Sequence, residues 1–169
     1  MSTKLPTCRT GWMNMLTCVP TSLCTWNYRV TGASDVALLT YNYFSEQGRI
    51  ALGAAVFSVR KNHPFSGHWI LAKGAQVFAE AHKPSLFTRS CEVRTPEHRI
   101  TLKPQSYFTR SFDMCAGDRA VGTIRPERAF SRRAFVTCDA EIPELVQIFS
   151  FWMAVITWRR GGNCSGPMT

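Results

Sequence analysis

Acid is scarce in this chain. Eleven Asp and Glu stand against twenty Lys and Arg in 169 residues, a formal net charge of +9 at pH 7. Fifteen of the twenty basic residues are arginine. Such a balance excludes an acidic solvating tail and favours a polyanionic partner. The motifs of common catalysis are also missing. There is no G-x-S-x-G, no H-E-x-x-H, no G-x-x-x-x-G-K and no G-x-G-x-x-G. The few carboxylates form no evident acid–base pair, so an enzyme is not expected. Seven cysteines lie at 8, 18, 24, 91, 115, 138 and 164 without a single C-x-x-C. That spacing excludes a zinc ribbon and a thioredoxin-like motif, and reads as reduced thiols. His63, His68, His82 and His98 show no ligand spacing. No metal or other cofactor is expected.

Long apolar runs are scarce as well. From Gly11 to Cys24 the chain is interrupted by Asn14, Thr17, Pro20 and Thr21, which leaves no h-region for a signal peptide. Residues 1–25 read as a poorly ordered arm and 163–169 as a tail. The one long apolar segment is Ile142 to Trp158, with twelve apolar residues. Pro143 and Glu144 suit a first helical turn, Arg159 and Arg160 a last one, and Gly161 and Gly162 a stop. A helix over 143–160 would measure about 27 Å, slightly short of a bilayer core of about 30 Å. Such a helix, apolar nearly all round, must be buried in protein or in lipid.

Between arm and helix the patterning is that of strands. Residues 26–30 alternate; 36–44 and 49–60 are rich in β-branched and aromatic side chains and suggest a hairpin turning at 45–48. Short strands follow at 69–73 and 76–82, separated by Lys73-Gly74. An internal repeat then appears. KPSLFTRSCEV begins at Lys83, KPQSYFTRSFDM at Lys103 and RPERAFSRRAFV at Arg125. Each copy has a basic residue, Pro, a spacer, Phe, Ser or Thr, then Arg. Phe87, Phe108 and Phe130 are 21 and 22 residues apart, and Pro64-Phe65-Ser66 is a weaker copy 22 residues earlier. That period holds two short strands and their turns and is too short for a β-α-β crossover. An antiparallel meander of hairpins follows.

Many short strands ending in one apolar helix suggest a barrel filled by that helix. With AHKPS at 81–85, VGTIRP at 121–126, QIF at 147–149 and WRR at 158–160, residues 26–160 resemble the tubby C-terminal-like barrels. That group includes the LURP-one-related proteins and the phospholipid scramblases. The resemblance implies a mostly β fold: a closed antiparallel barrel of ten to twelve strands around the C-terminal hydrophobic helix, here over domain residues 26–162. No acidic calcium-binding segment follows the helix, and no run of cysteines suits multiple acylation.

The candidate site is basic. The repeat places Arg89, Arg110 and Arg132 at one point of three successive hairpins, and Lys83, Lys103 and Arg125 at another; Arg133 adds a further charge. Rows of this kind suit phosphate, which guanidinium binds bidentately. The same side chains could equally cover Phe rings and pair with Glu92, Asp113 or Glu127. The expected function is a non-enzymatic binding or scaffold module for anionic lipid headgroups or another phosphate-bearing ligand, cytoplasmic and peripheral at a membrane. Nucleic acid ranks lower, for want of a Gly-aromatic signature, a zinc finger or a recognition helix. The alternative is a small membrane protein anchored by residues 142–158, with its β-domain on the cytoplasmic side.

Overall fold

A computed structural model describes residues 13–32, 34–85 and 87–162. Twelve strands follow one another: β1 (Met13–Pro20), β2 (Tyr28–Thr31), β3 (Val36–Tyr41), β4 (Gly48–Leu52), β5 (Ala55–Lys61), β6 (His68–Lys73), β7 (Gln76–His82), β8 (Cys91–Arg94), β9 (Arg99–Pro104), β10 (Phe112–Ala116), β11 (Arg119–Pro126) and β12 (Ala134–Asp139). Each pairs antiparallel with its neighbours in the chain, and β12 returns to β1, so the sheet is a closed barrel with no open edge. One helix, α1 (Glu144–Gly162), completes the chain.

The closing strand lies in what the composition presents as an arm. Met13 to Cys18 pair with Asp139 back to Ala134, and Thr17 to Pro20 pair with Thr31 back to Tyr28. Leu16 and Cys18 point inward and are buried, while Met13 and Met15 are exposed. Asn14 and Thr17 hide this strand from a composition argument: Thr17 lies on its outer face, and Asn14, half-buried, on the inward side at its start. The arm therefore does not extend to residue 25. Its first twelve residues, and the tail 163–169, lie outside the described residues. The stretch 49–60 is also two strands rather than one, split by a turn at Gly53-Ala54 where Gly53 takes φ +56°. The first hairpin correspondingly turns at 42–47, not 45–48.

Strand alternation divides the wall cleanly. In β3 the buried residues are Ala37, Leu39 and Tyr41, and their intervening neighbours are exposed. The inward set from every strand forms one core with α1, whose residues Val146 to Trp158 are all buried. Phe151 meets Tyr28 edge-on at 5.0 Å, and Trp152 packs on Tyr41 at 5.3 Å. Gly48 makes room for this helix: a Cβ there would lie 1.8 Å from the Thr40 carbonyl oxygen and 2.8 Å from the Trp152 ring. The polar residues of α1 turn back on the backbone. Gln147 donates to the Ile142 carbonyl at 2.7 Å, Ser150 to Val146 at 2.8 Å and Thr157 to Met153 at 3.1 Å. Those bonds allow a helix with small and polar positions to sit in an apolar interior. The helix that could have served as an anchor is thus enclosed by strands. Among the described residues no helix is long and apolar enough to cross a membrane.

Candidate functional site

Consecutive antiparallel pairing sorts the connections between two ends of the barrel. One end carries six long loops, 21–27, 42–47, 62–67, 83–90, 105–111 and 127–133; the other carries the shorter connections 32–35, 53–54, 74–75, 95–98, 117–118 and 140–143. α1 begins at the short-turn end and finishes among the long loops, where Arg159 donates to the Tyr43 carbonyl at 2.8 Å and the Trp158 indole to that of Arg110 at 2.7 Å.

Each long loop is shaped by a short polar side chain near its start or its finish. Oγ of Ser22 accepts from the Cys24 amide, Oδ1 of Asn42 from that of Phe44, Oγ of Ser85 from that of Phe87, and Oγ of Ser106 from that of Thr109. These are local turns that Ser and Asn make with their own backbone. They place a large apolar residue in the middle of the loop. The repeat seen in three sequence copies and a fragment runs through all six loops: Leu23, Phe44, Phe65, Phe87, Phe108 and Phe130, spaced by 21 or 22 residues. The first two copies escape a sequence reading because neither has the following Arg; the first keeps Pro20 but carries Leu23 in place of Phe, and the second has no preceding Pro.

The three repeat arginines occupy equivalent places, and each guanidinium is turned toward the next loop. Arg89 donates to the carbonyls of Ser106 (3.0 Å), Tyr107 (2.8 Å) and Thr109. Arg110 donates to Ser131 at 3.2 Å and lies 4.5 Å over the Trp158 ring. Arg132 donates to the carbonyls of Ser22 (3.1 Å), Leu23 (3.0 Å) and Thr25, and lies 4.6 Å over Trp26. This last latch joins the sixth loop to the first across the β12–β1 seam. The three groups therefore hold neighbouring loops together rather than facing a common space. Carbonyl oxygens, not the carboxylates that the sequence offers as partners, accept most of their hydrogen bonds.

The second expected row does not form. Lys103 and Arg125 stand five residues before their tip phenylalanines and are exposed, as is Arg133, which lies 3.6 Å from Glu127. Lys83 stands only four residues before Phe87. One residue of offset turns a strand-end side chain to the opposite face, and Lys83 is 3% exposed inside the barrel mouth. Its ammonium donates to Thr157 Oγ1 at 3.3 Å. Burial, reinforced by the nearby Arg160 charge, pushes its pKa down to about 8.

Sequence reasoning misses the most connected charge at this end. Glu46 falls where the later copies carry Arg89, Arg110 and Arg132, two residues after the tip. It is 4% exposed and adopts φ +57°. Its carboxylate accepts from Lys61 at 3.0 Å, from Arg160 through Nε and Nη2 at 2.7 Å each, and from Arg159. Burial alone would raise its pKa, but the hydrogen bonds and charges of Arg160 and Lys61 hold it down at about 2. One carboxylate thus ties the last turn of α1 to the loop 42–47 and to the end of β5.

The net effect is a polarised molecule. With each described charged residue assigned to the nearer connection, the long-loop end has fourteen basic residues and five acidic ones, and the short-turn end has four and six. Two shallow depressions, of about 270 and 330 Å³, flank the turn 95–98 on the less basic end. Arg94 and Arg99 beside them pair with Glu92. Comparison with family models, with curated proteins and with solved structures finds no match to this chain.

Proposed function

We propose that this protein is a non-enzymatic binding module of the tubby-like barrel type whose long-loop end faces an anionic, phosphate-bearing membrane surface. The charge asymmetry between the two ends carries this reading: the basic excess of the described residues is gathered on one end of the barrel. A surface potential of either sign acts on such an end as a whole, and an anionic leaflet attracts it by about 1 kcal/mol per basic residue close to the lipid. The twelve-stranded barrel around a C-terminal helix is the plan that the tubby-like resemblance implies.

Within that end the division of labour differs from a simple arginine row. Arg89, Arg110 and Arg132 contribute field while their donors hold the loops. Direct contact with phosphate falls to exposed side chains such as Lys103, Arg125, Arg128 and Arg133. Catalysis gains no support from the buried thiols: burial pushes Cys91 and Cys138 up to about 12, so neither offers a thiolate near neutral pH. With α1 inside the barrel, the protein would be peripheral at the cytoplasmic face rather than anchored by residues 142–158.

The test is sedimentation with vesicles of phosphatidylcholine, with and without phosphatidylserine. Wild type should bind only the anionic vesicles, and binding should weaken as salt shortens the Debye length from about 10 Å to about 3 Å. Changing Lys103, Arg125 and Arg133 to Glu should abolish binding, while the same change at Lys73, Arg99 and Arg119, on the short-turn end, should leave it intact. Equal losses from the two triple variants would refute a directed surface.

A further inference from the structure

We propose that the six loop tips form an apolar crown that enters the interfacial region of a lipid bilayer. Leu23, Phe44, Phe65, Phe87, Phe108 and Phe130 are between 91% and 97% exposed. Five of the eleven phenylalanines of the chain are therefore displayed in water, one on each of five loops, while Leu23 takes the sixth. Exposure this complete rules out a packing role, since the side chains meet almost nothing of their own protein. Single exposed apolar residues are ordinary. The same residue class at the same loop position six times around one closed end is not ordinary scatter.

The display is also held in place. Ser and Asn turns shape the loops, and Arg89, Arg110 and Arg132 bind the fourth loop to the fifth, the fifth to the sixth and the sixth to the first. A preorganised surface loses little conformational freedom on binding. Successive tips are separated by two strands, about 10 Å at the usual strand spacing. They make separate apolar points rather than one contiguous patch. A protein partner would need six separate pockets to cover them, and hot spots of protein interfaces instead cluster. A fluid bilayer can receive six separated rings at once.

The chemistry around the tips fits the same occupant. The crown stands on the end that holds fourteen of the described basic residues against five acids, so headgroup attraction and apolar insertion would act in one direction. Tyr43 and Tyr107 adjoin Phe44 and Phe108, edge-on at 5.4 and 5.5 Å, and Tyr107 is largely exposed. Tyrosine belongs at headgroup level, with its ring toward the acyl boundary and its hydroxyl in water. The inference rests on the reading that this end meets an anionic bilayer, and adds that the contact is apolar as well as electrostatic.

The experiment uses the full chain with Phe44, Phe65, Phe87 and Phe108 all changed to Ser, and a companion with the same four changed to Trp. Both should melt like wild type, because none of these rings is packed. Flotation with mixed phosphatidylcholine and phosphatidylserine vesicles is read at low and at high salt. Wild type should keep measurable binding at high salt, where charge is screened. The serine variant should lose it, with a partition coefficient lower by about a hundredfold or more, and the tryptophan variant should retain it. If serine variant and wild type match at both salts, insertion is wrong while the charged-surface reading stands. If wild type fails to bind at low salt, that reading falls as well. Two other results would overturn the crown as a membrane device. One is a wild-type dimer that the serine changes dissociate; the other is binding to a single-stranded oligonucleotide, without vesicle binding, that they abolish.

Discussion

The two ends of the barrel close the same twelve strands by different means. At one end the connections are short, and ion pairs such as Arg119 with Asp139 (3.5 Å) and Glu141 (3.6 Å) lie on an exposed surface. At the other, guanidinium groups tie the loops 83–90, 105–111, 127–133 and 21–27 in succession and α1 to the loop 42–47, and a buried carboxylate anchors the last helical turn. Short turns need little beyond a residue that tolerates the backbone, as at Gly53. Long loops carry more backbone polar groups and more entropy to restrain. Arginine answers both needs, since one planar group can meet several carbonyls. The lesson is that an abundance of Arg can reflect loop construction as much as ligand recognition, and that only the exposed remainder is available to a partner.

Breaking the loop end should begin at Glu46. Replacing it with Gln leaves Lys61, Arg159 and Arg160 half-buried without their shared anion, at a cost of roughly 3–5 kcal/mol. Its folded pKa, about 2, lies below the unfolded value. The stabilisation is therefore complete above the ordinary carboxylate range and is lost as pH falls toward 2. Denaturant melts of wild type and Glu46→Gln should differ widely at pH 7 and converge in acid. A constant difference across that range would show that the carboxylate charge is not what holds the helix end.

A smaller effect sharpens the contrast between ends. Arg132→Ala removes the donors that hold loop 21–27 across the barrel seam and should cost about 1–3 kcal/mol. Arg119→Ala, at the short-turn end, loses only solvent-exposed pairs and should cost about 0.5 kcal/mol or less. Thermal melts of the two variants measure this directly, and equal losses would erase the distinction between latched loops and plain turns.

Lys83 gives a change of opposite sign. Its folded pKa, about 8, is below that of the unfolded chain, so the folded state resists its protonation. The penalty is present at neutral pH and fades as pH rises from about 8 through the unfolded value, because the unfolded chain then gives up its extra proton. Lys83→Met should stabilise the protein by about 1–2 kcal/mol at pH 7, and the gain should shrink near pH 10. A destabilised variant at neutral pH would mean that the bond to Thr157 outweighs the burial of the charge.

Much of the architecture was legible because local patterns and the global fold agree. The terminal helix announced itself through its end residues, Pro143, Glu144, Arg159 and Arg160. The three late repeats announced hairpins, and β7 was bounded correctly at 76–82. Other features were illegible for identifiable reasons. β1 is interrupted by Asn14, Thr17 and Pro20 and earns its place from pairing with β2 and β12, which no local pattern contains. The early repeats were hidden because the position two residues after the tip is Thr25 in one and Glu46 in the next. The row of Lys83, Lys103 and Arg125 failed on a single residue of offset before Phe87.

The sequence by itself determined that a run of short strands precedes one terminal helix, the 21- to 22-residue period, the basic excess and the need to bury α1, because each depends on side-chain type and spacing along the chain. Tertiary structure alone decided that β1 closes the barrel, that the helix is covered by strands rather than lipid, and that Glu46 gathers three cations. It also decided that the repeat arginines are turned to carbonyls and that six apolar residues share one end. These are relations between residues dozens of positions apart, up to 114 between Glu46 and Arg160. The physical reason is closure: only when twelve strands meet in a ring do distant loops become neighbours, and only then do burial and charge acquire a direction.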